Sequence, residues 1–184
     1  LRRENFSAVR ALRKKAKIMN IGRLIREHAT LFPDRPALIE GSGRQRKVLT
    51  FADMDQQTAQ GSSFLHSNKH EHGECILFMQ PVSIKLYVGL LSVMRAGLNA
   101  AFIDPSQSRA FLNSVIKTYP PHAFYGDGKA RFAHLVYPAL GRIPRYDHRA
   151  LTKSVSVPSK GPKTPPIDNA TLITFTSGST GQPK

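Results

Sequence analysis

The chain has 184 residues, 40% of them hydrophobic, with 27 Lys and Arg against 12 Asp and Glu for a formal charge of +15. That length and apolar content suffice for one domain with a real core. No apolar run approaches the length of a bilayer span, so a transmembrane segment is excluded, and the single cysteine, Cys75, excludes an intramolecular disulfide and a cysteine-rich metal site.

Strong basicity invites a nucleic-acid partner, because cationic faces attract phosphate backbones whatever their sequence. The distribution argues against it. Arg2, Arg3, Arg10, Arg13, Lys14, Lys15 and Lys17 crowd the start of the chain, and the remaining cations are scattered without interleaved aromatics to stack on bases. No nucleic-acid partner is expected. Residues 1–18 hold one acid, Glu4, and few core-type apolar residues, which reads as a basic, disordered tail. A transit segment would be richer in serine and begin at methionine. The ordered protein is expected over residues 19–184.

From residue 20 the pattern turns helical. Ile21, Leu24, Ile25, His28 and Leu31 recur at three- and four-residue steps, and Pro33 and Pro36 end the run. His28 on that stripe reads as a packing residue rather than a metal ligand. Residues 37–40 and 47–50 flank Gly41, Ser42 and Gly43 as a short hairpin. Thr50 then looks like an N-cap, with Asp53 in the capping-box position, for a helix to about Leu65. The polar cluster of residues 66–72, with three histidines, reads as a solvated surface turn.

Residues 74–80 bracket a continuous apolar run, Cys75 to Met79, of strand length, as expected for a strand buried on both faces of a parallel sheet, with Cys75 as a small buried hydrophobe. One cysteine in such a place fits a reducing, cytoplasmic compartment. A largely buried helix follows from Ile84, ended by Gly97, and then a strand over residues 100–103. Strand, helix and strand make a βαβ unit, which favours an α/β fold with a largely parallel sheet. The unit repeats more loosely. Residues 107–119 are a candidate helix, 122–125 a short strand, and 127–141 a helix opening at Asp127 and Gly128. The Ser, Pro and Lys of residues 152–168 read as an exposed connector to a terminal strand.

That strand, with Leu172, Ile173 and Phe175, feeds a turn of hydroxyls and glycines closed by Pro183 and Lys184. Glycines at 178 and 181 allow the backbone close to a ligand, the hydroxyls of Thr176, Ser177, Ser179 and Thr180 add small rotatable donors, and Lys184 adds a point charge. The composition suits an anion cradle. The Walker spacing requires Lys directly after the second glycine, and here Gln182 and Pro183 intervene, so that reading fails. A plain Ser/Gly surface turn is the alternative.

Residues 176–184 match at every position the phosphate-binding signature of the adenylate-forming enzymes, and the chain resembles that superfamily of acyl-CoA synthetases, adenylation domains and luciferases. Two further stretches support the resemblance. Residues 49–54 are similar to an early core motif of the family, with Phe51, Asp53 and Met54 as conservative departures. Arg95, Ala96 and Gly97, followed by a strand ending in Asp104 and Pro105, are similar to another.

The resemblance implies the N-terminal part of the family's large AMP-binding domain, incomplete over residues 19–184 and without the small C-terminal domain. It implies ATP and Mg²⁺, a small-molecule carboxylic acid substrate and an acyl-adenylate product. Thr176, Ser177, Gly178, Ser179, Thr180, Gly181 and Lys184 would bind ATP, and Thr180 would lie on the Mg²⁺ side. No residue present is expected to be a catalytic group, and these 184 residues alone are expected to show no acid-dependent ATP–pyrophosphate exchange. The general run of the sequence leans toward acyl-CoA synthetases, with coenzyme A taking a fatty or other organic acyl group. An acceptor other than coenzyme A and a non-catalytic product with weak phosphate binding are the alternatives.

Overall fold

The computed structural model describes residues 21–104, 106–153 and 172–175. The tail 1–18, the connector from residue 154 and the stretch 176–184 lie outside the described residues. Among them a five-stranded sheet carries helices on both faces, and a two-stranded hairpin sits beside it.

The chain enters through α1 (Ile21–Leu31), where the expected apolar stripe buries Ile25. His28 is a packing residue, as expected: its Nδ1 donates to the Leu24 carbonyl at 2.9 Å, and its ring lies 5.3 Å from that of Phe51. Strands β1 (Pro36–Glu40) and β2 (Lys47–Thr50) form the antiparallel hairpin, with Ile39 opposite Val48 and Glu40 opposite Lys47. Helix α2 (Phe51–Ser67) opens on the expected capping box. The Asp53 N–H donates to Thr50 Oγ1 at 3.1 Å, and the Thr50 N–H reaches back to the Asp53 carboxylate at 3.4 Å.

Strand β3 (Cys75–Phe78) is the centre of the sheet and is apolar on both faces for that reason. Ile76 and Phe78 point into one core with α2 and α3 (Ile84–Arg95), while Leu77 and the following Met79 point into a second. Burial pushes the Cys75 thiol above its ordinary range, consistent with a small apolar side chain. Helix α3 ends at Ala96, and Gly97 follows in the left-handed region at φ 77°, the conformation that ends helices on glycine. Strand β4 (Asn99–Phe102) runs parallel to β3, with Ile76 paired to Ala100 and Phe78 to Phe102. Helix α4 (Arg109–Thr118) covers the second face, and β5 (Ala123–Tyr125) returns to the other side of β3, again parallel.

Residues 127–141 are not the single helix expected. They split into a 3₁₀ turn (Gly128–Phe132), the one-turn α5 (Ala133–Val136) and a second 3₁₀ turn (Pro138–Arg142). Pro138 explains the break, since it offers no N–H and disfavours a helical residue before it. Two elements escaped the sequence reading, the two-residue edge strand β6 (Arg145–Tyr146) and α6 (His148–Thr152), which packs on α2. The terminal β7 (Leu172–Thr174) is present as expected and pairs parallel to β4. The order is β6, β5, β3, β4, β7, with every pairing parallel.

The hairpin is fastened to the rest through Glu40, whose carboxylate accepts the Ile84 N–H at 2.7 Å in the first turn of α3. That bond, helped by Lys47, holds the Glu40 carboxyl below its ordinary value of 4.5 against a smaller burial penalty. A depressed carboxyl contributes stability that is present above the ordinary value and is lost as pH falls through the depressed one. Glu40→Gln should therefore flatten the acid limb of the stability curve. Urea midpoints for both proteins between about pH 7 and pH 3 check this, and parallel curves would remove Glu40 from the account.

Candidate functional site

Parallel strands all present their carboxyl ends on one side, and open α/β sheets bind ligands there, where successive crossovers diverge. In this sheet the chain steps from β3 to β4 in one direction and then returns past β3 to β5. The carboxyl ends of β3 and β5 flank that reversal, and the carboxyl end of β7 lies at the same side of the sheet.

Above β3 and β5 lies a polar cluster the sequence did not announce. Gln80, only 2% exposed, accepts the Asp127 N–H through Oε1 at 3.0 Å. Lys85 pairs with the Asp127 carboxylate, and the Tyr125 hydroxyl donates to the Lys85 carbonyl at 3.0 Å. The hydrogen bond from Lys85 holds the Asp127 carboxyl low, whereas burial pushes the Tyr125 phenol well above its usual range. Burial, followed by the Lys85 charge, lowers the His148 imidazole. The cation of α3's first turn is thus already matched by an acid, and the cluster works as a brace between α3 and β5.

At the end of β4 the Asp104 carboxylate accepts the Ser106 N–H at 2.8 Å, a bond that holds the carboxyl low and turns the chain sharply away. The 66–72 segment is solvated as expected at every residue but His70. His70 has 6% of its side chain exposed, with Nδ1 at 2.5 Å from the Glu74 carboxylate and Nε2 at 2.9 Å from the Tyr146 hydroxyl. The missing signal was its partner, 76 positions away. Among the described residues no group of three His, Cys, Asp or Glu side chains is placed to hold a metal.

A cleft of about 290 Å³ opens among Phe124, Gly126, Phe132, His134, Arg145 and Asp147. It belongs to the β5–β6 side of the sheet, roughly 14 Å from β7 if three strand spacings separate β5 from β7. It is therefore separate from the carboxyl end of β7.

Thr176, Ser177, Gly178, Ser179, Thr180, Gly181 and Lys184 all lie outside the described residues. What the structure places is their approach. β7 pairs with β4 through Thr174 opposite Phe102, and Ile173 and Phe175 pack on the α4 side of the core. Residues 176–184 thus follow, in sequence, the carboxyl end of a parallel strand.

Comparisons with known proteins agree with this arrangement. The chain is 26% identical over 174 residues to nonribosomal peptide synthetase penN of Penicillium thymicola, covering 94% of this chain and 6% of that protein. It superposes on the Klebsiella oxytoca NpsA N-terminal subdomain, solved with 3-hydroxyanthranilyl-AMSN, with a TM-score of 0.70 at 21% identity, over 91% of this chain and 39% of that one. A fatty acyl-adenylate ligase from L. pneumophila, solved with acyl adenylate and pyrophosphate, gives a TM-score of 0.65 at 17% identity, over 91% and 30%. The chain thus spans well under half the length of these relatives. In the described residues no helix is long and apolar enough to cross a membrane. The sequence model of the AMP-binding enzyme family matches residues 25–184, almost the whole chain including the terminal loop, and the chain belongs to that family.

Proposed function

We propose that these residues are the phosphate-binding portion of an enzyme that activates a small carboxylic acid as its adenylate, with the basic stretch 1–18 lying outside the folded domain of residues 19–184. The observation that carries the reading is the placement of β7, a parallel strand whose carboxyl end leads into residues 176–184 within the family match.

In that reaction a carboxylate oxygen attacks the α-phosphorus of ATP, the bond to the β-phosphate oxygen breaks, and pyrophosphate leaves. The backbone N–H groups and hydroxyls of Ser177, Gly178, Ser179, Thr180 and Gly181, with Thr176 at the entrance, hold the β- and γ-phosphates, and Lys184 offsets their charge. The stretch offers oxygen and nitrogen donors but neither thiolate nor imidazole, a set that suits Mg²⁺ with Thr180 on the metal side. Bound Mg²⁺ neutralises charge that develops on the phosphate oxygens.

The acyl acceptor is proposed to be a carrier-protein thiol rather than coenzyme A. Matching peptide synthetases and the NpsA subdomain favour it, and the lean toward acyl-CoA synthetases finds no support in the comparisons.

Acid-dependent ATP–pyrophosphate exchange, measured on the enzyme containing this chain against a panel of amino and aryl acids, tests the reading. Exchange is expected with one acid class, and Lys184→Ala should lower it about tenfold, the worth of one charge-assisted contact. Failure of every acid on the panel would overturn the reading, and the isolated 184 residues should give no exchange.

A further inference from the structure

Ladder bonding between β7 and β4 ends at Thr174, and the proposed phosphate loop starts at Thr176. Phe175 alone stands between the sheet and the loop. Alternation along β7 exposes Leu172 and Thr174 and turns Ile173 and Phe175 toward the α4 side of the core. There the Phe175 ring lies 5.5 Å from that of Tyr119, tilted by 54°. Tyr119 sits at the C-cap of α4, where its N–H bonds to the Val115 carbonyl at 2.8 Å, and Pro120 and Pro121 follow directly. Helix end on one side and proline on the other leave its backbone little freedom. The residue is 49% exposed, so burial in the core does not account for its position.

We infer that Tyr119 is a positioning residue for nucleotide binding: it braces Phe175 and thereby holds the end of the strand that leads in sequence to residues 176–184. The inference rests on reading that stretch as the phosphate loop. An anion cradle works only if its donors are held where the phosphates will sit, and small displacements by distant residues cost binding and rate. An aromatic pair contributes a modest energy, so the effect is graded rather than all-or-none. It is expected to fall on ATP, because the contacts proposed for residues 176–184 are to the β- and γ-phosphates.

The test uses the enzyme containing this chain, as wild type and as Tyr119→Ala, Tyr119→Phe and Lys117→Ala, the last an exposed change on the same helix. Tyr119→Ala should raise the KM for ATP about 3- to 10-fold and leave the KM for the acid within about twofold. Tyr119→Phe, which keeps the ring, and Lys117→Ala should behave as wild type. Hydrogen exchange supplies a readout that needs no activity: peptides covering residues 172–181 should exchange at least about threefold faster in Tyr119→Ala, with residues 109–116 unaltered. An unchanged KM for ATP, an equal rise for both substrates, a defective Tyr119→Phe, or unaltered exchange over 172–181 each overturns the inference. A wild-type enzyme inactive with every acid would instead sink the adenylation reading, and the exchange data would still decide the brace.

Discussion

Replacing Arg95 by alanine is expected to lower stability by about 3 kcal/mol, which for a domain of this size is a fall in melting temperature of roughly 6–12 °C. Arg95 lies in the last turn of α3 and is only 6% exposed. One of its nitrogens, Nη1, donates to the Asp55 carboxylate at 2.6 Å, the Asp55 carbonyl at 3.1 Å and the Thr58 hydroxyl at 3.1 Å. Truncation leaves three acceptors on α2 facing a gap, and a stranded buried charge is what makes broken pairs costly. Asp55 keeps a quarter of its side chain in solvent and can recruit water, which puts the loss at the lower end of the range for buried pairs.

Arg95→Lys should fall between wild type and alanine, because an ammonium on a flexible stem replaces a planar fork. Adding Asp55→Ala to Arg95→Met should recover part of the loss, since no charge is then stranded. Thermal and urea denaturation of the wild type and these four variants decide it. A shift under about 2 °C for Arg95→Ala would show that the pair contributes nothing. The consequence for the site is indirect but real: Arg95 fixes α2 on α3, and α3 joins β3 to β4, the strand on which β7 aligns.

The elements that were legible in the sequence are those whose cause is local. Thr50 and Asp53 stand three residues apart and form the capping box themselves. The continuous apolar run from Cys75 to Met79 has one good explanation, a strand covered on both sides, and the structure provides both covers. What stayed hidden depends on distant partners. Strand β6 has two residues and no periodicity, and it exists because Phe124 and Tyr125 offer it a ladder. His70 looked like part of a solvated turn because nothing nearby betrays Tyr146. Arg95 was noticed for its place in a family motif, while its acid lay 40 positions back on another helix. The candidate site divides the same way. Its loop was readable because its chemistry is written in consecutive residues, whereas the brace of Gln80, Lys85 and Asp127 joins three segments and was not.

Gly89 and Gly61 lead to the second large effect, because each marks a place where a helix meets its neighbour too closely for a side chain. A Cβ on Gly89 would stand 2.8 Å from Tyr125 Cζ and 2.9 Å from Phe78 Cε1. Those rings are 1% and 0% exposed, pack 4.8 Å apart, and one is tied by its hydroxyl to the Lys85 carbonyl, so neither can retreat. Two opposing terms apply to Gly89→Ala. Better helix propensity gains about 1 kcal/mol, and overpacking costs about 1–3 kcal/mol. A net loss of about 1 kcal/mol is expected, growing to about 3 kcal/mol for Gly89→Val, whose extra methyls meet the same rings while its propensity gain is smaller. A stability that rises in Gly89→Ala, or does not worsen with size, would show that α3 can move off the sheet. Gly61 offers an independent check. Its Cβ would fall 2.2 Å from Ser92 Oγ and 2.6 Å from Ser92 Cβ, and Ser92 is fully buried with its hydroxyl bound to the Val88 carbonyl at 2.7 Å. Gly61→Ala alone should therefore destabilise, and Ser92→Gly in the same chain should relieve most of the clash. Denaturation of the two single variants and the double yields the coupling directly. Additive losses would mean that α2 and α3 do not touch at this point, and the α2–α3 packing described here would be wrong.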